Sequence, residues 1–297
     1  MNLRHLFTIG IAAALFVSPL PALAQNALAA AKPAAAGPAA SVPAAAAAVE
    51  TPALNAEQIE AFLLNAKIVS SRKIGKGVTG SLVATMTDGR VTHDAHVQHV
   101  NIHRIEDHNF KDQYRYNIAA YRVARLLGLD NVPVSVERVV DEMPAAVTWW
   151  VDGVMMDEEK RLAREKEKTA PAWPRLRTVG YQQVMRVFDE LIANTDRNLG
   201  NQLWTNDGTL WMIDHTRAFR PQRALRKAQL VERCDRGLWK AMQSLTLESL
   251  TAAVERTLTK DEIKAVMVRR DLILEQLTKV IDSRGERAVL FDLAQNR

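Results

Sequence analysis

The chain has 297 residues, of which 47% are hydrophobic and 25% charged, with a formal net charge of +5. Its one cysteine, Cys234, excludes an intrachain disulfide. The charge is mild and dispersed, which argues against a nucleic-acid surface, and no segment beyond the N-terminus offers the ~18 uninterrupted apolar residues of a membrane span.

Arg4 and His5 precede an apolar run over residues 6–17, and Pro21-Ala22-Leu23-Ala24 supplies an Ala-x-Ala cleavage site after Ala24. Residues 1–24 therefore read as a secretory signal peptide, and the protein as exported, either periplasmic or secreted. Residues 25–55 are mostly Ala and Pro, a composition that buries no core and predicts a disordered linker. What remains is long enough for two lobes, expected over 56–150 and 151–297.

A short amphipathic helix is expected over 56–66 after Asn55, with Ile59, Phe62 and Leu63 on one face. A β-rich stretch comes next. Strands over 68–74 and 81–87 flank Gly75-Lys76-Gly77-Val78-Thr79-Gly80, Asp88-Gly89 marks a hairpin turn, and 95–102 reads as a third strand. From 112 to 127 the pattern is helical, with Ala119, Val123, Leu126 and Leu127 on one stripe and Gly128 as the stop. Two more strands are read over 132–140 and 147–151.

The second half differs. Residues 157–168 mix both signs of charge and read as a solvated helix or insertion. A strong helix is expected over 181–195, with Val184, Phe188, Leu191 and Ile192 on one stripe. Residues 203–205 and 210–213 bracket Asn206-Asp207-Gly208, a hairpin signal. Three helices follow, over 223–242, 246–258 and 260–281, the last opened by a Thr259-x-x-Glu262 capping box. Arg220, Arg223, Arg226 and Lys227 form a basic run, read as a solvated face or as the partner of an anionic substrate.

Asp196-Arg197-Asn198-Leu199-Gly200-Asn201 enters that hairpin and Ile213-Asp214-His215 leaves it. The hairpin thus carries two carboxylates and a carboxamide toward one place. Phosphoryl transfer uses such a set: a carboxylate near the attacking hydroxyl, and Asn and Asp oxygens that hold Mg²⁺ on the phosphates. Each residue alone has an ordinary explanation, as a turn cap, a hairpin entrance or a buried carboxylate; three at this spacing favour the site. Five of the seven histidines lie between His93 and His108, but His96 and His99 on one strand would face opposite ways, against shared metal coordination.

In order, Gly75-x-Gly77-x-x-Gly80, Asn117-Ile118-Ala119-Ala120-Tyr121, Leu126-Leu127-Gly128-Leu129, Val132-Pro133, Asp196-Arg197-Asn198-x-x-Asn201 and Ile213-Asp214-His215 resemble the atypical kinases: phosphoinositide kinases, HipA-type toxin kinases and secretory-pathway protein kinases. The resemblance implies an α+β, bilobal protein-kinase-like fold with a small β-rich N-lobe and a mainly helical C-lobe. It implies Asp196 as catalytic base or orienter, and Asn201 and Asp214 as ligands of Mg²⁺ or Mn²⁺. Gly75, Lys76, Gly77, Gly80 and Gln98 would contact ATP or another nucleoside triphosphate, and a protein, sugar or lipid hydroxyl would accept the phosphoryl group. Arg197 would orient the loop by pairing with a carboxylate, or be solvated; His215 would line the site or be structural.

Two positions depart from the family pattern. Gln98 stands where the strand Lys is expected, and Asn117 where its helix Glu is expected. Neutral amides can bond to each other at lower desolvation cost than a lone charge, and Lys73 or Lys76 would have to replace the lost cation. The departures keep two alternatives open: a pseudokinase acting as a binding or scaffold module, and a nucleotidyl transferase on the same fold. A bacterial periplasm would weigh against a kinase, since nucleoside triphosphates are not normally abundant there.

Overall fold

The computed structural model describes residues 54–74, 81–107 and 110–293. The leader, nearly all of the Ala/Pro-rich linker and the Gly75–Gly80 loop lie outside the described residues. The first described element is α1 (Ala56–Asn65), fixed by a reciprocal cap in which Asn55 and Gln58 exchange backbone-to-side-chain bonds, both 2.9 Å. Phe62 and Leu63 are its buried face.

The strands β1 (Lys67–Lys73), β2 (Leu82–Thr87) and β3 (Thr92–Gln98) form an antiparallel meander. A separate hairpin, β4 (Asn101–Arg104) with β5 (Phe110–Gln113), leads into α2 (Arg115–Leu126), and β6 (Ser135–Val140) and β7 (Met143–Trp149) complete the main sheet in the order β1-β2-β3-β7-β6. The single strand expected over 95–102 is therefore two. β3 stays with β7 as far as the pair Gln98 and Ala146; the Tyr114 N–H then captures the Val100 carbonyl at 2.6 Å and the chain turns to pair with β5. The β6–β7 turn is Asp141-Glu142, both at positive φ (50° and 63°), so the second strand starts at Met143, earlier than the expected 147.

A three-stranded sheet, β10-β9-β8, joins β8 (Val154–Asp157) to the hairpin of β9 (Gln202–Thr205) and β10 (Leu210–Met212). Around it stand α3 (Glu158–Lys166) and α4 (Arg175–Leu191), followed by β11 (Cys234–Asp235), α5 (Arg236–Ser244), α6 (Leu247–Val254), α7 (Lys260–Arg284), α8 (Glu286–Val289) and β12 (Leu290–Phe291), which pairs in parallel with β11. The expected capping box at Thr259 and Glu262 starts α7. α3 is helical as one of the two readings had it, yet Glu158 is buried and accepts the Trp204 Nε1–H and the Arg161 Nε–H, both at 2.6 Å.

One expected helix is absent over most of its length. Of residues 223–242 only Arg236 onward is α-helical, its N-cap being Asp235, which accepts the Leu238 N–H at 3.0 Å. Upstream, tertiary partners take the backbone groups a helix would use. The Glu190 carboxylate accepts the N–H of Arg226 (2.7 Å) and of Lys227 (3.2 Å), while the fully buried Arg269 donates to the carbonyls of Leu191, Arg220 and Gln222.

Candidate active site

The β9–β10 hairpin brings the two ends of the motif together. Its last ladder pair is Gln202 with Met212. One step further the Ile213 N–H still donates to the Asn201 carbonyl at 3.2 Å, so Asn201 and Asp214 emerge at the same end. Asn198 caps the short 3₁₀ turn Leu199–Asn201 by accepting the Asn201 N–H at 3.1 Å. The Asn201 amide nitrogen donates to the Asp196 carbonyl at 3.2 Å, which points its Oδ1 the other way; that oxygen accepts no hydrogen bond among the described residues.

Arg197 holds this arrangement. Its guanidinium has five N–H donors and all are engaged. Nε and Nη2 grip the Asp189 carboxylate at 2.9 and 3.1 Å, Nη1 reaches the carbonyls of Asn201 and Ile213, each at 2.7 Å, and Nη2 also donates to His215 Nε2 at 2.8 Å. Arg197 is thus an orienting residue, not a solvated one, and one side chain ties α4, the loop and the exit of the hairpin. Since arginine only donates, His215 Nε2 accepts and the ring carries its proton on Nδ1. Burial, reinforced by the Arg197 charge, holds the His215 pKa well below 6.5 and keeps the ring neutral. It stands edge-on to Phe188, with ring centroids 6.0 Å apart, as a structural residue of the core.

Asp196 follows a turn in which Ala193 takes positive φ (49°) and Asn194 Oδ1 accepts the Asp196 N–H at 3.1 Å. Its Oδ2 pairs with Arg217 Nη1 at 3.1 Å, leaving Oδ1 uncommitted among the described residues. Arg217 also donates through Nε to the buried Asp112 at 2.8 Å. Burial would weaken its hold on the proton, but Asp112, Asp196 and Asp214 together outweigh that and raise its pKa. Asp214 itself sits at φ +53°, a left-handed conformation that an Asp adopts at a cost, and its Oδ1 accepts the Thr216 hydroxyl at 3.1 Å.

The N-lobe meets this end through the two exceptional amides. The Asn117 amide nitrogen donates to Gln98 Oε1 at 2.7 Å, and Asn117 Oδ1 accepts the His215 N–H at 2.7 Å; Gln98 and Asn117 are both buried. A neutral chain, Gln98–Asn117–His215, thereby links β3 and α2 to the residue after Asp214. His96, two positions before Gln98 and on the same face of β3, feels Asp214: burial lowers its pKa and the Asp214 carboxylate opposes the shift. Lys73, at the end of β1, is exposed. Gly75, Lys76, Gly77 and Gly80 lie outside the described residues.

Other notable residues lie elsewhere. Trp149 stacks on His93 with centroids 3.4 Å apart and meets Phe62 edge-on at 5.6 Å, a packing role. His96 lies on β3, His99 past its end and His103 on β4, and among the described residues no group of three His, Cys, Asp or Glu gathers as a metal cage. Cys234 is buried, and burial pushes its thiol pKa up, so it is no nucleophile. The sequence reading passed over Asp189, Asp112 and Arg217, which hold the loop and Asp196; their signal lies only in the charge partner that Arg197 and Asp196 each require.

No family model matches the chain, and no curated protein matches its sequence. Among solved structures it is similar to hydra Fam20 with sugar, at 16% identity and TM-score 0.60, over 80% of this chain and 92% of that one. It is also similar to the Helicobacter pylori proinflammatory kinase CtkA, at 9% identity and TM-score 0.50, over 76% of this chain and 98% of that one. At these identities the likeness is one of architecture. The chain shares the kinase-like fold of these two structures, with a β-rich N-terminal region and a helical C-terminal region.

Proposed function

We propose that the protein is an exported phosphotransferase of the atypical-kinase type, moving the γ-phosphoryl group of a nucleoside triphosphate to a protein or sugar hydroxyl. The observation that carries this reading is the convergence of Asp196, Asn201 and Asp214 at one end of a hairpin, clamped by Arg197 through the Asn201 and Ile213 carbonyls. Asp196 Oδ1 would accept the hydroxyl proton as the acceptor oxygen bonds to the γ-phosphorus, the bond to the β–γ bridging oxygen breaks, and the nucleoside diphosphate leaves. Arg217, on the other oxygen, would keep Asp196 aimed.

Asn201 Oδ1 and the Asp214 carboxylate are hard oxygen donors of the kind Mg²⁺ or Mn²⁺ takes, and such ions use one or two protein carboxylates plus substrate phosphates, not a cage. When bound, the cation supplies charge neutralisation on the phosphates. That a hydra Fam20 of this fold was solved with sugar supports a sugar hydroxyl as one acceptor class.

The Gln98–Asn117 bond favours a second reading. It puts neutral groups where the resemblance expects a phosphate-binding ion pair, as a pseudokinase would. Thermal-shift titration with ATP or GTP, with and without Mn²⁺, separates the two. For an enzyme, Mn²⁺-dependent binding is lost in Asp214→Ala, while Asp196→Ala keeps binding and loses turnover; no binding by the intact chain, unchanged by Asp214→Ala, sinks the enzyme reading.

A further inference from the structure

Strand β3 shows its side chains alternately to two sides. Ala95 and Val97 are fully buried in the core, whereas His96 shares the opposite face with Gln98. That face is tied to the end of the β9–β10 hairpin: Gln98 meets Asn117, and Asn117 accepts the N–H of His215, the residue after Asp214. His96 stands ~7 Å back along the strand from Gln98, at the usual rise of ~3.4 Å per residue.

The ring's neighbours across the sheet make no claim on it. Val83 lies opposite on β2 and Thr148 opposite on β7. Val83 is apolar, and the Thr148 hydroxyl is bonded to Ser135 Oγ at 2.8 Å. Among the described residues His96 forms no hydrogen bond and no ion pair, unlike His93, which pairs with Asp152, and His215, which Arg197 holds. The residue is only partly buried, and the Asp214 carboxylate acts on it electrostatically, opposing the effect of burial on its pKa.

We propose that His96 is a ligand of the nucleotide's phosphate chain, its ring N–H donating to a phosphate oxygen beside the neutral Gln98–Asn117 pair; this rests on the phosphotransferase reading above. A cation on Asn201 Oδ1 and Asp214 would hold the phosphates between the hairpin end and β3, on the side that His96 faces. The ring carries one N–H when neutral and two when protonated, so it donates in either state. Asn117 is already engaged on its nitrogen and its oxygen, and Lys73 is exposed at the end of β1. An imidazole also suits a site that is empty between turnovers. Beside Val83 an unpaired ammonium would be desolvated at a cost, whereas a histidine sheds its proton and waits as a neutral donor.

The test is calorimetric titration of the full chain, with Mn²⁺, by ATP, ADP and adenosine. His96→Leu removes the donor and is expected to weaken ATP and ADP about tenfold or more, the scale of one hydrogen bond to a charged group, while adenosine stays within about twofold. His96→Gln keeps an N–H and should recover most of the ATP affinity. Should the Leu variant not fold, the parent chain answers instead: acylation of His96 by diethyl pyrocarbonate, located by peptide mass mapping, is expected to be blocked by ATP and not by adenosine. Equal weakening of ATP and adenosine, or equal protection by both, puts the ring on the base and overturns the proposal. Unchanged ATP affinity in His96→Leu, or acylation unaffected by ATP, overturns it as well. In all of these cases ATP binding by the parent leaves the phosphotransferase reading standing; no nucleotide binding by the parent overturns that reading and the phosphate ligand with it.

Discussion

Replacing Arg197 by Met keeps the length of the side chain and removes every donor, and so measures what holds the candidate site together. Asp189 and Arg197 are 12% and 10% exposed in their side chains, so the substitution leaves a nearly buried carboxylate with one remaining side-chain donor, Asn194. Breaking one partner of a buried pair costs about 3–5 kcal/mol. The Asn201 and Ile213 carbonyls and His215 Nε2 also lose a donor, though water can reach part of this loop. The expected loss is therefore about 3 kcal/mol or somewhat more, a large fraction of the ~5–15 kcal/mol that stabilises a typical domain. For a domain of this size that lowers Tm by roughly 6–12 °C. Urea unfolding followed by fluorescence gives the free energy. Adding Asp189→Asn should recover part of the loss, because the stranded charge disappears, giving a coupling of about 0.5–3 kcal/mol. Arg197→Lys should fall between parent and Met variant, since an ammonium offers three donors where the site takes five. A loss below about 1 kcal/mol for Arg197→Met, or strict additivity with Asp189→Asn, would refute the clamp.

The amide pair gives a second expectation: Gln98→Lys alone buries a cation beside a neutral amide and Asn117→Glu alone buries an unpartnered carboxylate, each destabilising by about 3 kcal/mol or more. Together they should recover about 0.5–3 kcal/mol in a double-mutant cycle, and additive losses would show that the two positions do not meet as described. Acid unfolding gives a third. Burial would raise the pKa of Glu262, but Lys111 Nζ and the Tyr116 hydroxyl, both at 2.6 Å, and the Thr259 N–H at 2.9 Å outweigh it and hold the carboxyl below 4.5. A depressed folded pKa stabilises above the unfolded value and the benefit fades as pH falls through the folded one. The stability gap between the parent and Glu262→Gln should thus be full at pH 5–7 and shrink below about pH 4.5; a gap that stays constant or widens on acidification would contradict it.

What the sequence disclosed and what it withheld divides by the distance over which the deciding partner lies. The helix start after Asn55, the capping box at Thr259 and the Asn206-Asp207-Gly208 turn are decided within three or four residues, and they stand where expected. The expected helix over 223–242 fails because its backbone partners, Glu190 and Arg269, come from α4 and α7 and leave no trace in the local pattern. The site follows the same rule at increasing range. Arg197 finds Asp189 eight residues back and His215 eighteen ahead, whereas Asp112, which shares Arg217 with Asp196, is 105 residues from it. Asp196, Asn201 and Asp214 stood out as a candidate set because they flank one hairpin. Gln98 and Asn117 were legible only as departures from a family pattern, and their bond to each other, with Asn117 also accepting the His215 N–H, turns the departure into a structural link. That link sets the site's remaining electrostatic demand. On the proposed reading, with a neutral pair at the lobe junction, the charge of a bound polyphosphate would have to be met by a divalent cation and by other residues, which makes metal dependence the sharpest property by which the catalytic and scaffold readings part.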